Sequence, residues 1–157
     1  MVAERVSEPR WLTAPEQRVW RAYLDVSRLL DERLGRQLTE DNGLSSPEYE
    51  ILVQLSEAPE RMLRMSELAQ RAVNSRSRLT HTVGRMEQRG LVRREPCPDD
   101  GRGVLCLLTE EGLAAIVDAA PGHVEEVRTS FFDPLTQAEV QALGEALTKI
   151  RTQLGRP

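Results

Sequence analysis

Between positions 75 and 85 the chain sets Ser75, Arg76, Ser77, Arg78, Thr80, His81 and Arg85 close together, with no carboxylate among them. Groups of this kind hydrogen-bond to phosphates and base edges. Arginine reads guanine O6 and N7 with two parallel bonds, and serine or threonine bonds either bases or phosphates. Further along, Asp100-Gly101-Arg102-Gly103 puts a guanidinium between glycines in a stretch of turn-forming residues. Such an arginine suits a narrow minor groove, where the negative potential attracts cations. Asp100 is expected to orient Arg102 or another basic neighbour rather than touch a polyanion itself.

Other chemistries have less to build on. There is no glycine-rich phosphate loop, GxSxG or HExxH, and the only histidines, His81 and His123, stand beside no nucleophile in sequence. Paired acids such as Glu125-Glu126 read as a solvated helix face, so the chain is not read as an enzyme. Cys97, Cys106, His81 and His123 lack the close spacing of a zinc site, and no metal or cofactor is expected. Cys106 reads as a small core residue in a strand. Cys97 reads as exposed near Arg93, Arg94 and Arg102, which would favour its thiolate; a redox-responsive regulator is therefore one alternative.

The charge is unevenly spread. The 157 residues carry 21 basic and 25 acidic groups, net −4. Residues 61–102 hold ten arginines against five acids, +5, which leaves −9 for the rest. A basic island in an acidic chain is what counterion release at a phosphate backbone requires. An ordinary solvated surface is the bland alternative. The length suits one domain, or one domain with a helical appendage. No run of about 18 apolar residues would span a membrane. The N-terminus lacks a signal peptide's apolar core, and two cysteines outside any CxxC fit a reduced cytoplasmic setting.

The elements that must position these groups follow from periodicity and caps. Thr13-Ala-Pro-Glu16 is a capping box, and Val19, Trp20, Tyr23, Val26, Leu30, Leu34 and Leu38 follow at helical spacing, predicting a helix over about 14–39 that stops near Asn42-Gly43. Ser46-Pro47 opens a second helix with Tyr49, Leu52, Val53 and Leu55 inward, ending at Ala58-Pro59. A short strand is expected over 61–64. Ser66 is expected to cap a third helix with Leu68, Ala69 and Ala72 inward. Val73-Asn74-Ser75 makes the turn, and Ser75 caps a fourth helix over about 76–89 ended by Gly90. At 100° per residue, Leu79, Val83 and Met86 share one face of this helix. Ser77, His81, Gly84 and Gln88 lie opposite, flanked by Arg78, Thr80 and Arg85.

Residues 91–95 and 104–108 have strand composition around a turn-rich 96–103, predicting a charged hairpin. Thr109 leads into a fifth helix over about 110–130, with a bend at Pro121-Gly122. Thr136-Gln-Ala-Glu139 is a further capping box, and Val140, Leu143, Leu147, Ile150 and Leu154 form a narrow seam over two heptads, suited to packing on another helix. Dimer formation and packing within the chain are both open for that seam. The fold class is thus mainly α with a small β-wing, a winged helix-turn-helix over 46–109. It is flanked by an N-terminal helix (1–45) and C-terminal helices (110–157), both expected in dimerisation. The predicted partner is duplex DNA; a winged helix used only for protein contacts is the other reading.

Taken together, GLSSPEYEILVQL, MSELAQRAVNSRSRLTHTVGRMEQRGLVRRE, the Asp100-Gly101-Arg102 wing and LTEEG resemble the multiple-antibiotic-resistance regulator (MarR) family of transcription factors over most of the chain. The resemblance implies a homodimer on a palindromic operator, with the fourth helix in the major groove and the wing arginine in the minor groove. It also implies repression relieved by a small apolar or phenolic effector, bound between the first helix and the winged helix. Trp11, Trp20 and Tyr23 line that crevice on one reading and are core or dimer contacts on another. The last helix is expected to pair with a partner subunit's first helix. Two departures stand out: Val73 where a helix-turn-helix turn often has glycine, leaving Asn74 to absorb the unusual backbone angle, and Gly84 where the family often has an acid.

Overall fold

The computed structural model describes residues 9–71, 76–98 and 103–155, with Arg76 described by its backbone alone. The first helix, α1 (Ala14–Asn42), starts at the expected capping box. The Thr13 hydroxyl accepts from the Glu16 amide, and the Glu16 carboxylate accepts from the Thr13 amide at 2.7 Å. It ends where Gly43 takes a left-handed φ of 64°, open to glycine at no steric cost. The second helix, α2 (Ser46–Ser56), is capped one residue earlier than the sequence suggested. Ser45 is its N-cap, and Glu48 completes a second capping box. Its buried face is Glu48, Ile51, Leu52 and Leu55, while Tyr49 and Val53, expected inside, are half-buried at its edge.

Strand β1 (Met62–Arg64) runs straight into α3 (Met65–Arg71). Ser66 therefore lies within the first turn and is not the cap. Glu67 satisfies an amide at this end instead, accepting from Arg64 N at 3.1 Å. The turn predicted at Val73-Asn74-Ser75 and the inward Ala72 fall outside the described residues. Helix α4 (Arg76–Gln88) is followed by Gly90 at φ 74° and then by β2 (Val92–Pro96), β3 (Val104–Leu108) and α5 (Glu110–Val127). The α5 helix continues through Pro121 into a π-turn over Arg128–Phe132, a feature no sequence pattern announced. The last helix, α6 (Gln137–Gln153), begins at the predicted Thr136–Glu139 capping box.

The three strands form an antiparallel sheet in the order β1-β3-β2, with Cys106 of β3 opposite Leu63 on one side and Arg94 on the other. The hydrophobic core lies between this sheet and α2, α3 and α4. Leu52, Leu55, Leu68, Val83, Met86 and Cys106 are fully buried there, and Leu38, Ile116 and Ala119 extend the core to α1 and α5. This is a winged-helix domain carried on long helices, the architecture the sequence predicts.

Candidate nucleic-acid interface

The two faces of α4 are segregated as its periodicity requires. Leu79, Val83 and Met86 are buried, whereas Ser77, Arg78, Thr80, His81 and Arg85 are exposed. Gly84 sits among the latter with space around it, since no atom lies within 4 Å of where a Cβ would stand. The structure thus brings five of the expected contacts onto one helix face. Ser75, the Arg76 side chain, Asp100 and Arg102 lie outside the described residues.

Three joints hold the C-terminal end of α4. Arg94 of β2 donates from Nε and Nη2 to Glu87, at 3.0 and 2.6 Å, and its amide donates to the other carboxylate oxygen at 2.8 Å. These bonds hold the Glu87 carboxyl below the ordinary carboxylate range and push the Arg94 guanidinium further up. Arg89 donates to Glu48 at 3.1 Å and to the Gly43 carbonyl at 3.1 Å, so the end of α4 is pinned to the corner between α1 and α2. Thr109 closes the third joint. Its hydroxyl donates within reach of the Gly90 and Leu91 carbonyls and accepts from the Gly112 amide. Gly112 is obligatory there, because an added Cβ would stand 2.0 Å from the Leu91 carbonyl oxygen.

Glu48 and Arg89 were not singled out from sequence, although Ser45-Ser46-Pro47-Glu48 has the spacing of a capping box and could have revealed the carboxylate. Glu48 is 5% exposed. Burial pushes its carboxyl up, but the amide and hydroxyl of Ser45 and the guanidiniums of Arg89 and Arg85 outweigh that and hold it below its ordinary value.

The cysteine reading needs correction. Cys97 is 5% exposed rather than solvent-facing, because its amide donates to the Gly103 carbonyl at 2.9 Å and holds it at the base of the hairpin. Arg93 and Arg94, invoked to activate it, are paired with Glu95 and Glu87. Cys106 is buried as expected, and burial pushes its thiol up to about 12. Among the described residues no three His, Cys, Asp or Glu side chains converge on a metal-sized site, and no helix is long and apolar enough to cross a membrane.

A cavity of about 310 Å³ opens between α1, α2 and α5. Asp31, Leu34 and Leu38 line it from α1, Ser46, Tyr49, Glu50 and Val53 from α2, and His123 from α5. Trp11, Trp20 and Tyr23 are not among its walls. Trp20 and Tyr23 instead stack on each other, ring centres 5.7 Å apart, on an exposed stretch of α1, and Trp11 is exposed ahead of it. The seam of α6 is open as well: Val140 and Leu143 are half-buried, and Leu147, Ile150 and Leu154 are exposed.

A groove-sized helix, polar and basic on its outer face and followed by a β-hairpin, defines a winged helix-turn-helix protein of the DNA-binding type. Known proteins agree. The MarR family model matches residues 42–103. The crystal structure of Sco3205, a MarR family transcriptional regulator from Streptomyces coelicolor in complex with DNA, superimposes with a TM-score of 0.89 at 49% identity, covering 94% of this chain and 92% of that one. AbsC, a MarR family transcriptional regulator from the same organism, gives 0.87 at 45% identity over 93% and 98%. The HTH-type transcriptional regulator PecS of Dickeya dadantii is 32% identical over 131 residues, 82% of this chain and 77% of that protein. This chain belongs to the MarR family and is a transcriptional regulator of that family.

Proposed function

We propose that the chain acts as a homodimeric repressor that binds an inverted-repeat operator and is released by a small ligand. The observation that carries the DNA reading is the division of α4. Ser77, Arg78, Thr80, His81 and Arg85 face solvent from a helix whose opposite side is core. In this reading these residues, with Ser75 and Arg76, contact base edges and phosphates in the major groove. Arg102, oriented by Asp100, enters the minor groove. The Sco3205 complex supports DNA as the partner, since that protein shares the fold and nearly half its sequence.

The exposed apolar stripes support dimerisation. Val19, Trp20 and Tyr23 on α1 and Leu147 and Ile150 on α6, with Leu154 just past its end, stand exposed, and apolar side chains grouped on a surface in this way mark an interaction site. Pairing α6 with a partner's α1 covers both and sets two α4 helices about one DNA turn apart. A ligand bound between α1 and the winged helix acts by its differential affinity for a spacing that does not fit DNA.

Selection from the chain's own genomic fragments, followed by sequencing at two salt concentrations, tests this. Enrichment of an inverted repeat with half-sites about one turn apart, weakening with salt, is expected. No enrichment and no salt-sensitive binding would leave the protein-contact reading. Arg102→Ala is expected to weaken operator binding while leaving the dimer folded, and unchanged affinity at matched salt would refute the wing contact.

A further inference from the structure

The cavity between α1, α2 and α5 has a chemistry that narrows what it can hold. Asp31 stands with Leu34 and Leu38 on one face of α1, and Ser46, Tyr49 and Glu50 share a face of α2. Asp31 is exposed at the rim and Glu50 is half-buried; among the described residues neither has a hydrogen-bond or ion-pair partner, and no arginine or lysine of this chain lines the space. On α1, Arg33 is engaged with Glu126 and Arg36 with Glu32, and Arg28, three residues before Asp31, does not line the space. The inner wall is aromatic, with the Tyr49 and His123 rings 4.4 Å apart between centres.

Spare hydrogen-bonding capacity lies at the same corner. His123 Nδ1 is buried without a partner, and so is Oε1 of Gln37, whose amide lies against Gly122 beside it. A buried polar atom left unpaired is costly, and it favours a ligand or water that completes it. Burial also lowers the His123 pKa, so the imidazole is neutral at pH 7 and does not offset the two carboxylates.

We propose that this cavity takes a flat aromatic or heteroaromatic ligand bearing an ammonium or other cationic head. The ring packs on Tyr49 and His123, and the head points to Asp31 and Glu50. The proposal rests on the effector reading above and gives its ligand a cationic head. An aryl carboxylate would bring a negative charge towards Asp31 and Glu50, neither of which has an ion-pair partner among the described residues. A cation gains both carboxylates and the π face of Tyr49. Ser46 and His123 complete the hydrogen bonds of its N–H groups.

Phenethylamine and phenylacetate share ring and size and differ in the sign of the head, so they form a matched pair of probes. Calorimetric titration of the full dimer is expected to show saturable binding of phenethylamine and about tenfold or weaker binding of phenylacetate. Asp31→Asn with Glu50→Gln is expected to weaken the amine about tenfold while leaving the thermal midpoint in place, and His123→Ala is expected to weaken it also. Equal or tighter binding of phenylacetate overturns the proposal. So does failure of both probes at millimolar concentration, or amine binding that is indifferent to the three substitutions. Operator binding of the ligand-free dimer is measured on the same preparation. If it is intact while the amine fails, this inference falls alone; if it is lost, the regulator reading falls with it.

Discussion

The winged core and the helices that flank it treat their apolar residues in opposite ways. From α2 to β3, Val104 is the one large apolar side chain left exposed among the described residues. On α1, Val19 is 71% exposed and Leu29 54%, and on α6 Ile150 is 55% exposed. The periodicities are alike: α4 repeats its core residues at steps of four and three, and so does α6. An apolar stripe therefore says that a helix has a partner but not whose. In α4 the partner is the sheet and α2 of the same chain. In α6, where no residue is buried, the partner must come from elsewhere if the stripe is to leave water.

Four changes would break or sharpen this contrast. The largest effect is expected at the root of the core half. Gly112→Ala forces a Cβ against the Leu91 carbonyl, and stability should fall by about 4 kcal/mol or more. Chemical denaturation would show this, and a loss below about 1 kcal/mol would mean that α5 can lift off without harm. Next, a chain ending at Leu135 should sediment as a monomer with the winged core's helicity retained. Its association should be weakened about a thousandfold, roughly 4 kcal/mol. A dimeric product would remove α6 from the interface.

A smaller effect is expected from Arg89→Ala, which strips a counterion from buried Glu48. Because Arg89 is itself partly exposed, the loss is about 1–2 kcal/mol at neutral pH. Its pH dependence has a definite sign. The Glu48 carboxyl is held below its unfolded value, so its contribution is present above that value and lost as pH falls through the folded one. Urea midpoints of the variant and the parent should therefore differ most above the ordinary carboxylate range and converge as the pH falls below it. A gap that does not change with pH would mean that Arg89 acts by packing alone. Smallest, Gly84→Ala should stabilise α4 by about 1 kcal/mol, since the new methyl meets nothing. The same variant should bind operator less well if that face lies against the backbone of DNA, and an unchanged gel-shift titration would place the DNA further away.

Much of this was legible because caps and periodicity are local. The Thr13–Glu16 and Thr136–Glu139 boxes and the two faces of α4 depend on residues three or four apart, and the structure keeps each of them. What sequence reading lost was set by contacts across the fold. Ser66 looks like a cap, but β1 runs into α3 without a break and Glu67 takes the amide. Cys97 sits among turn formers that suggest exposure, until the hairpin closes at its own amide. Tyr49 and His123 are 74 positions apart in the chain, and only the packing of α5 on α1 and α2 makes them neighbours. The expectation of Trp and Tyr in the crevice followed residue type; the structure spends those rings on the outer side of α1.

The Arg94–Glu87 joint has a genetic consequence. It fastens the wing's first strand to α4, so strand and helix move as one piece. In a dimer of the kind proposed, occupancy of an operator depends on both α4 helices at once. A subunit with an intact α6 and a damaged α4 would then spoil every normal partner it joins. Such alleles are expected to be dominant, masking a wild-type copy in the same cell, whereas alleles that lose α6 are expected to be recessive.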